Sequence, residues 1–151
     1  MVSIAQNSKV FKDQEIKVLH EVLLSAIKGP ESGYIILTEE NTGVITGFMI
    51  CGRTPCTDMT WDIFWLVVAD ESHGKGVAKK LIERVEQYVL SVDQLPILRV
   101  ETSSRKEYAK ARAFYRKSGF VEVGSIPDFY SKDDNLVTYY KKPAIATPQA
   151  K

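Results

Sequence analysis

Apolar residues recur at helical spacing from Asp13 onward, at Ile16, Leu19, Val22, Leu23 and Ile27, and Gly29-Pro30 ends the run. This pattern predicts a first amphipathic helix. Residues 34–38 and 44–50 are β-rich runs separated by the polar, turn-forming Glu40-Asn41-Thr42-Gly43, which reads as a hairpin. The next run, 59–69, is too continuously apolar for a half-exposed strand and predicts burial on both faces, with Trp61, Phe64 and Trp65 as core. Val77, Leu81, Val85, Tyr88 and Val89 then share one face of a second helix, opposite Lys79, Lys80, Glu83, Arg84 and Glu86. Pro96 precedes a short strand, 97–101, and a third helix runs from Glu107 to Lys117 before Gly119. Strands over 120–126 and 136–141 close the domain, with a polar linking segment 127–135 between them. Residues 3–10 are mostly polar, and 143–151 are small and polar, the composition of a mobile tail. This order predicts an α+β (mixed α/β) domain over residues 1–142, a mixed sheet with helices on both faces.

Composition narrows the class. The 151 residues, 44% of them hydrophobic, suit one compact core. A formal net charge of +1 provides no field for a nucleic acid partner. No stretch reaches the roughly 20 apolar residues needed to span a bilayer, and there is no apolar leader, so no membrane partner and a cytoplasmic protein are expected. Cys51 and Cys56 are too few for a disulfide framework and lack a second ligand pair for zinc, so no metal is expected. The oligomeric state is not encoded in these patterns, and a homodimer stays open.

One segment carries chemistry. The buried strand is followed by Asp70-Glu71-Ser72 and then by His73-Gly74-Lys75-Gly76-Val77-Ala78 at a helix start. Glycines allow close backbone approach, the first helical N–H groups are unpaired, and the dipole adds positive potential, so a phosphate is the natural guest. Lys75 and Lys79 could add charge. A strand-to-helix turn in which glycine merely relieves backbone strain is the plain alternative. A P-loop is excluded because Gly76 follows Gly74-Lys75, and a dinucleotide fingerprint fails at Lys79, where it wants a third glycine.

The segment resembles the acetyl-CoA-binding motif of the GNAT superfamily, Gln/Arg-x-x-Gly-x-Gly/Ala, with Gly76 and Ala78 at the small positions and His73 in place of Gln or Arg. Residues 111–120, Ala-Arg-Ala-Phe-Tyr-Arg-Lys-Ser-Gly-Phe, are similar to a second signature of that family, Ala-x-x-Phe/Leu-Tyr-x-x-x-Gly-Phe. The similarity covers roughly residues 34–142. It implies a GNAT-like fold with a splayed sheet and an acetyl-CoA-dependent N-acetyltransferase acting on a primary amine of a small molecule, by direct transfer in a ternary complex. A peptide N-terminus or lysine acceptor, and a non-catalytic acyl-CoA sensor, are the alternatives. Many members carry Asn seven residues before the signature tyrosine, against the pantetheine arm, where this chain has Tyr108; the first strand of the family looks shortened here.

The resemblance also implies that backbone groups of Leu66, Val67 and Val68 pair with pantetheine, with the Val68 amide facing the thioester carbonyl. Ala111 and Phe114 belong to the second signature and join the cofactor contacts. Tyr115 stands where members use a phenol to protonate the leaving thiolate; a tyrosine anchored in the core by a hydrogen bond is the plain alternative. Glu101, at a strand end, matches the glutamate that peptide N-terminal acetyltransferases use as a base. Asp62, between Trp61 and Ile63, is the other candidate base, since a carboxylate among aromatics is expected to titrate high; for either carboxylate a solvated strand-end charge or a salt bridge is the plain alternative. Phe129 and Tyr130, with Asp128, Asp133 and Asp134, would wall the acceptor site.

Overall fold

In the computed structural model, which describes residues 1–144, four helices flank one six-stranded sheet. Helices α1 (Val2–Asn7) and α2 (Asp13–Lys28) lead into β1 (Tyr34–Asn41), β2 (Val44–Arg53) and β3 (Thr60–Val68). Helix α3 (Val77–Val92), β4 (Ile97–Ser103), α4 (Ala109–Lys117), β5 (Val121–Ser131) and β6 (Asp134–Lys141) complete the chain. The strand order is β1-β2-β3-β4-β6-β5. Only β3 and β4 pair in parallel, and α3 provides the crossover that a parallel pair requires.

Alternation in β2 explains the two layers. Phe48 and Ile50 point to a core with Ala5, Leu19, Val22 and Leu23 of α1 and α2, whereas Met49 and Cys51 point to the core under α3 and α4. The second core is larger, holding Leu81, Val85 and Val89 of α3 and Tyr115 of α4 against Trp61, Ile63, Leu98, Val100 and Tyr139. Burial pushes the Cys51 thiol up to about 12, so it is an inert core residue; Cys56 is exposed. The β1–β2 hairpin closes on Thr42-Gly43, both at positive φ (50° and 80°), the signature of a twist-matched two-residue turn.

The structure corrects three expectations. The polar N-terminal stretch is not a weak strand: residues 2–7 form α1, whose Ala5 is fully buried. The linking segment 127–135 is not a loop, because β5 continues to Ser131 and pairs again at Ser131↔Asp134, with an irregularity that absorbs Pro127 and Asp128. Phe64 is not core; it is 42% exposed, while Trp61 is buried and Trp65 packs on the α1–α2 side. Of the expected tail, Pro143 is buried and residues 145–151 lie outside the described residues. No helix among the described residues is long and apolar enough to cross a membrane.

One polar cluster ties the end of α3 to the sheet. Asp93 accepts the Trp61 indole N–H at 2.6 Å and both oxygens take Arg53 at 3.0 Å, while that guanidinium lies 4.6 Å from the Trp61 ring centre. The indole hydrogen bond, and then Arg53, hold the Asp93 carboxyl below the usual carboxylate range. Asp93→Ala leaves the N–H of a buried indole without its acceptor and is expected to cost about 1–3 kcal/mol of stability, read by urea unfolding. Because the folded-state pKa is depressed, the carboxylate's contribution is full above the unfolded value near 3.9 and is lost as pH falls through the lower folded value. The gap between wild type and Asp93→Asn is therefore expected to be constant at neutral pH and to close in acid below about pH 4.

Candidate active site

The turn between β3 and α3 has the geometry of an open cradle. Gly74 and Gly76 adopt φ of 75° and 79°, a region that side chains disfavour, and nothing lies within 4 Å of where a Cβ would stand at either. Gly76 caps α3, and Lys80 is the first amide to donate back, to the Gly76 carbonyl at 3.0 Å. The N–H groups of Val77, Ala78 and Lys79 therefore have no carbonyl behind them within the helix. A diphosphate fits this arrangement, since both the empty space and the unpaired donors face it. The imidazole of His73 reaches back to the Val68 carbonyl at 3.1 Å, so it fastens the turn to the end of β3. Lys79 pairs with Glu83 at 3.6 Å on the exposed helix surface, and Lys75 is exposed.

Next to the turn the sheet opens. Pairing of β3 with β4 runs from Thr60↔Ile97 to Ile63↔Val100 and then stops, although β3 stays paired with β2 as far as Val68. A bulge starts the divergence. Ile50 faces Trp65 and Cys51 faces Ile63, which leaves Phe64 as the extra residue and bends β3 away from β4. Past the bulge the Ala69 amide donates to Thr46, so by strand alternation Val67 also faces β2, while backbone groups of Leu66 and Val68 face the gap. The Val68 carbonyl is taken by His73, and the remaining free strand groups at the gap suit an extended amide chain such as pantetheine.

Helix α4 lies on the α3 side of the sheet, with Ala111 and Phe114 packed on the same core as Tyr115. Arg112 anchors it by donating to the carbonyls of Ser103 (2.6 Å) and Arg105 (2.9 Å) at the end of β4. The Tyr115 ring is surrounded by Phe114, Phe120 and Tyr139, and burial raises its phenol well above the ordinary tyrosine range. Its hydroxyl has no hydrogen-bond partner among the described residues, yet no buried side-chain polar atom there lacks a partner.

On the open face beneath the gap, a cavity of about 200 Å³ is lined by Asp62, Ile63, Phe64, Arg99, Glu101 and Tyr130. Sheet register makes this cluster. Asp62 sits beside Arg99 across the parallel pair, and Glu101 follows two residues along β4, on the same face. The Asp62 carboxylate is not surrounded by aromatic rings, as expected from its neighbours in sequence. It accepts Arg99 Nε at 2.6 Å and Nη2 at 3.1 Å, and the Thr54 hydroxyl at 2.7 Å. Glu101 is more open, at 39% side-chain exposure, and touches Arg99 only through Nη1 at 3.3 Å.

The β5–β6 hairpin and the start of α2 complete the surround. Tyr130 is pushed up by burial and then by Glu101, Asp134 and Glu15, which places three carboxylates near its phenol. Tyr108 turns its hydroxyl to the Val10 carbonyl (3.4 Å) and Glu15 (3.3 Å), bracing the α1–α2 connection, and burial followed by Glu15 raises it too. Asp134 is buried on the hydroxyl of Ser103. Arg99 and Thr54 were missed in the sequence. Arg99 was accessible by strand alternation from Glu101, whereas Thr54 is brought in by the β2–β3 connection and had no signal. No group of three or more His, Cys, Asp or Glu among the described residues could hold a metal ion.

Comparison with known proteins agrees with this geometry. Residues 30–122 match the family model described as Acetyltransferase (GNAT) domain. The chain is 29% identical over 124 residues to the 5-NmdU N-acetyltransferase of Pseudomonas phage PaMx11, covering 82% of this chain and 80% of that one. It superimposes with a TM-score of 0.90 on a GNAT-family protein from Desulfovibrio desulfuricans, at 26% identity over 95% of this chain and 90% of that one. The fold also matches an aminoglycoside 6'-N-acetyltransferase complexed with coenzyme A, at a TM-score of 0.74 and 15% identity, over 97% and 90% of the two chains. With the glycine cradle, the opened sheet and the family model all covering the same residues, the chain belongs to the GNAT family and is an acetyl-CoA-dependent N-acetyltransferase.

Proposed function

We propose that the chain moves the acetyl group of acetyl-CoA directly to a primary amine of a small molecule, within one ternary complex. The observation that carries this reading is the cavity where β3 leaves β4, with the half-open Glu101 in its wall and the free amides of β3 above it. At about 200 Å³ it has room for a compact amine. Its carboxylates suit a cationic acceptor.

Acetyl-CoA supplies the activated carbonyl carbon; the chain's own groups do the rest. The Gly74–Gly76 turn and the first amides of α3 hold the diphosphate. The Val68 N–H donates to the thioester oxygen and stabilises negative charge as it develops there. Glu101, directly or through a water, takes the proton that the ammonium must lose, so that the nitrogen lone pair can form the C–N bond. As the C–S bond breaks, Tyr115 gives its proton to sulfur, the acylated nitrogen gives its second proton to water, and the phenolate is reprotonated from solvent. Burial keeps the Tyr115 phenol protonated at neutral pH. The same apolar wall also disfavours a thiolate, which narrows the acidity gap the proton must cross.

Thiol release measured with acetyl-CoA across a panel of small primary amines tests the proposal. Turnover with none of them, alongside intact acetyl-CoA binding, would leave the sensor reading; turnover only with peptide N-termini or lysines would move the acceptor class. Cofactor binding has its own test. Gly76→Asp puts a carboxylate and a Cβ where the diphosphate needs backbone access, at a φ of 79°, and acetyl-CoA affinity is expected to fall at least about tenfold by calorimetry. Unchanged affinity in a folded variant would remove the cofactor from this turn.

A further inference from the structure

Arg99 is an unusual component for the wall of an amine site, since a guanidinium repels the cation the site must accept. Its surroundings explain how it is tolerated. Asp62 engages Nε and Nη2 in a two-point contact, and the Asp62 carboxylate is itself held by Thr54 and only 11% exposed. The third nitrogen, Nη1, touches Glu101. Two carboxylates around one guanidinium leave the lining with one negative charge in excess, so an ammonium is still favoured. A guanidinium has five N–H donors. Asp62 uses one on Nε and one on Nη2, while Glu101 meets Nη1 as an ion pair at 3.3 Å and not as a hydrogen bond, so both donors of Nη1 and one of Nη2 remain, on a side chain that is 38% exposed at the cavity.

We infer that Arg99 is a specificity-determining residue: its unspent N–H groups, held in place by Asp62, select primary amines that carry a neutral hydrogen-bond acceptor, an amide or ring carbonyl, a few bonds from the nitrogen. This rests on the transferase reading above. Charge decides against an anionic acceptor. The guanidinium is already outweighed by Asp62 and Glu101, and a third carboxylate would face both of them. A carbonyl oxygen gains the charge-assisted hydrogen bond without that repulsion. The exposed rings of Phe64 (42%) and Tyr130 (44%) line the same cavity and suit a flat body between the amine and the carbonyl.

Three matched probes separate these terms: benzylamine, 3-(aminomethyl)benzamide and 3-(aminomethyl)benzoate. Binding by calorimetry and kcat/KM are both measured. The benzamide is expected to exceed benzylamine by about ten- to a hundredfold, the worth of one charge-assisted hydrogen bond, and the benzoate to fall below the benzamide. The double variant Asp62→Asn with Arg99→Met removes the guanidinium while keeping the site's net charge, and is expected to bring the benzamide-to-benzylamine ratio to within about threefold of unity. Arg99→Lys, which leaves Asp62 with a cationic partner but lacks the planar fork, should lower the same ratio and guards against misfolding of the double variant. A ratio unchanged in both variants, or a benzoate preferred by the wild type, would overturn the role of Arg99. Absence of turnover with all three probes, with the affinity order intact, would speak against the small-molecule acceptor and leave the binding inference standing.

Discussion

Tyr115→Phe is expected to lower kcat by about 10²- to 10⁴-fold, the usual worth of a positioned general acid, with little change in the KM for acetyl-CoA. The ring keeps its contacts with Phe114, Phe120 and Tyr139, so packing is preserved. The hydroxyl has no hydrogen-bond partner among the described residues, so removing it orphans none of their polar groups, and stability should stay within about 0.5 kcal/mol of the parent. A large drop in Tm would identify the hydroxyl as a structural group instead. The decisive comparison uses a thioester whose thiol leaves more easily, which should rescue the variant more than the parent. Equal responses would show that Tyr115 does not protonate sulfur.

Glu101→Gln is expected to reduce kcat/KM by about 10²-fold or more below the pH optimum and by much less well above it. The sign follows from the acceptor: in acid the amine is an ammonium and needs a base, whereas at high pH it arrives neutral. The rate profiles of the two proteins should converge as pH rises. Asp62→Asn should behave differently, because that carboxylate is already occupied by Arg99 and Thr54 and its loss frees a guanidinium beside Glu101. If Asp62→Asn alone abolished activity in acid while Glu101→Gln kept it, the base would be Asp62.

The core and the glycine turn were largely legible in the sequence, because local rules govern them. Periodicity identified α2 and α3, and the continuous apolar run marked a strand buried against helices on both faces. The glycine turn was readable for the same reason: positive φ and unpaired helix-start amides are consequences of residues 74–79 alone. Residues 2–7 were misread, since a six-residue helix is too short to display a period and is held by packing of Ala5 rather than by propensity.

The acceptor side depended on register between distant strands. Sequence neighbours made Asp62 look like a carboxylate among aromatics, but the parallel β3–β4 pairing gives it Arg99, 37 residues away. One extra residue at Phe64 moves an aromatic from the core to the cavity, and no composition rule announces a bulge. The sequence by itself determined most of the elements, most of the core and the glycine turn proposed for the cofactor, because these follow from interactions within a few residues. Which side chains face one another across the opened sheet, and so which carboxylate is held by Arg99 at two points and which meets it at one, was decided only by tertiary structure, because strand pairing joins residues whose separation along the chain carries no local signal.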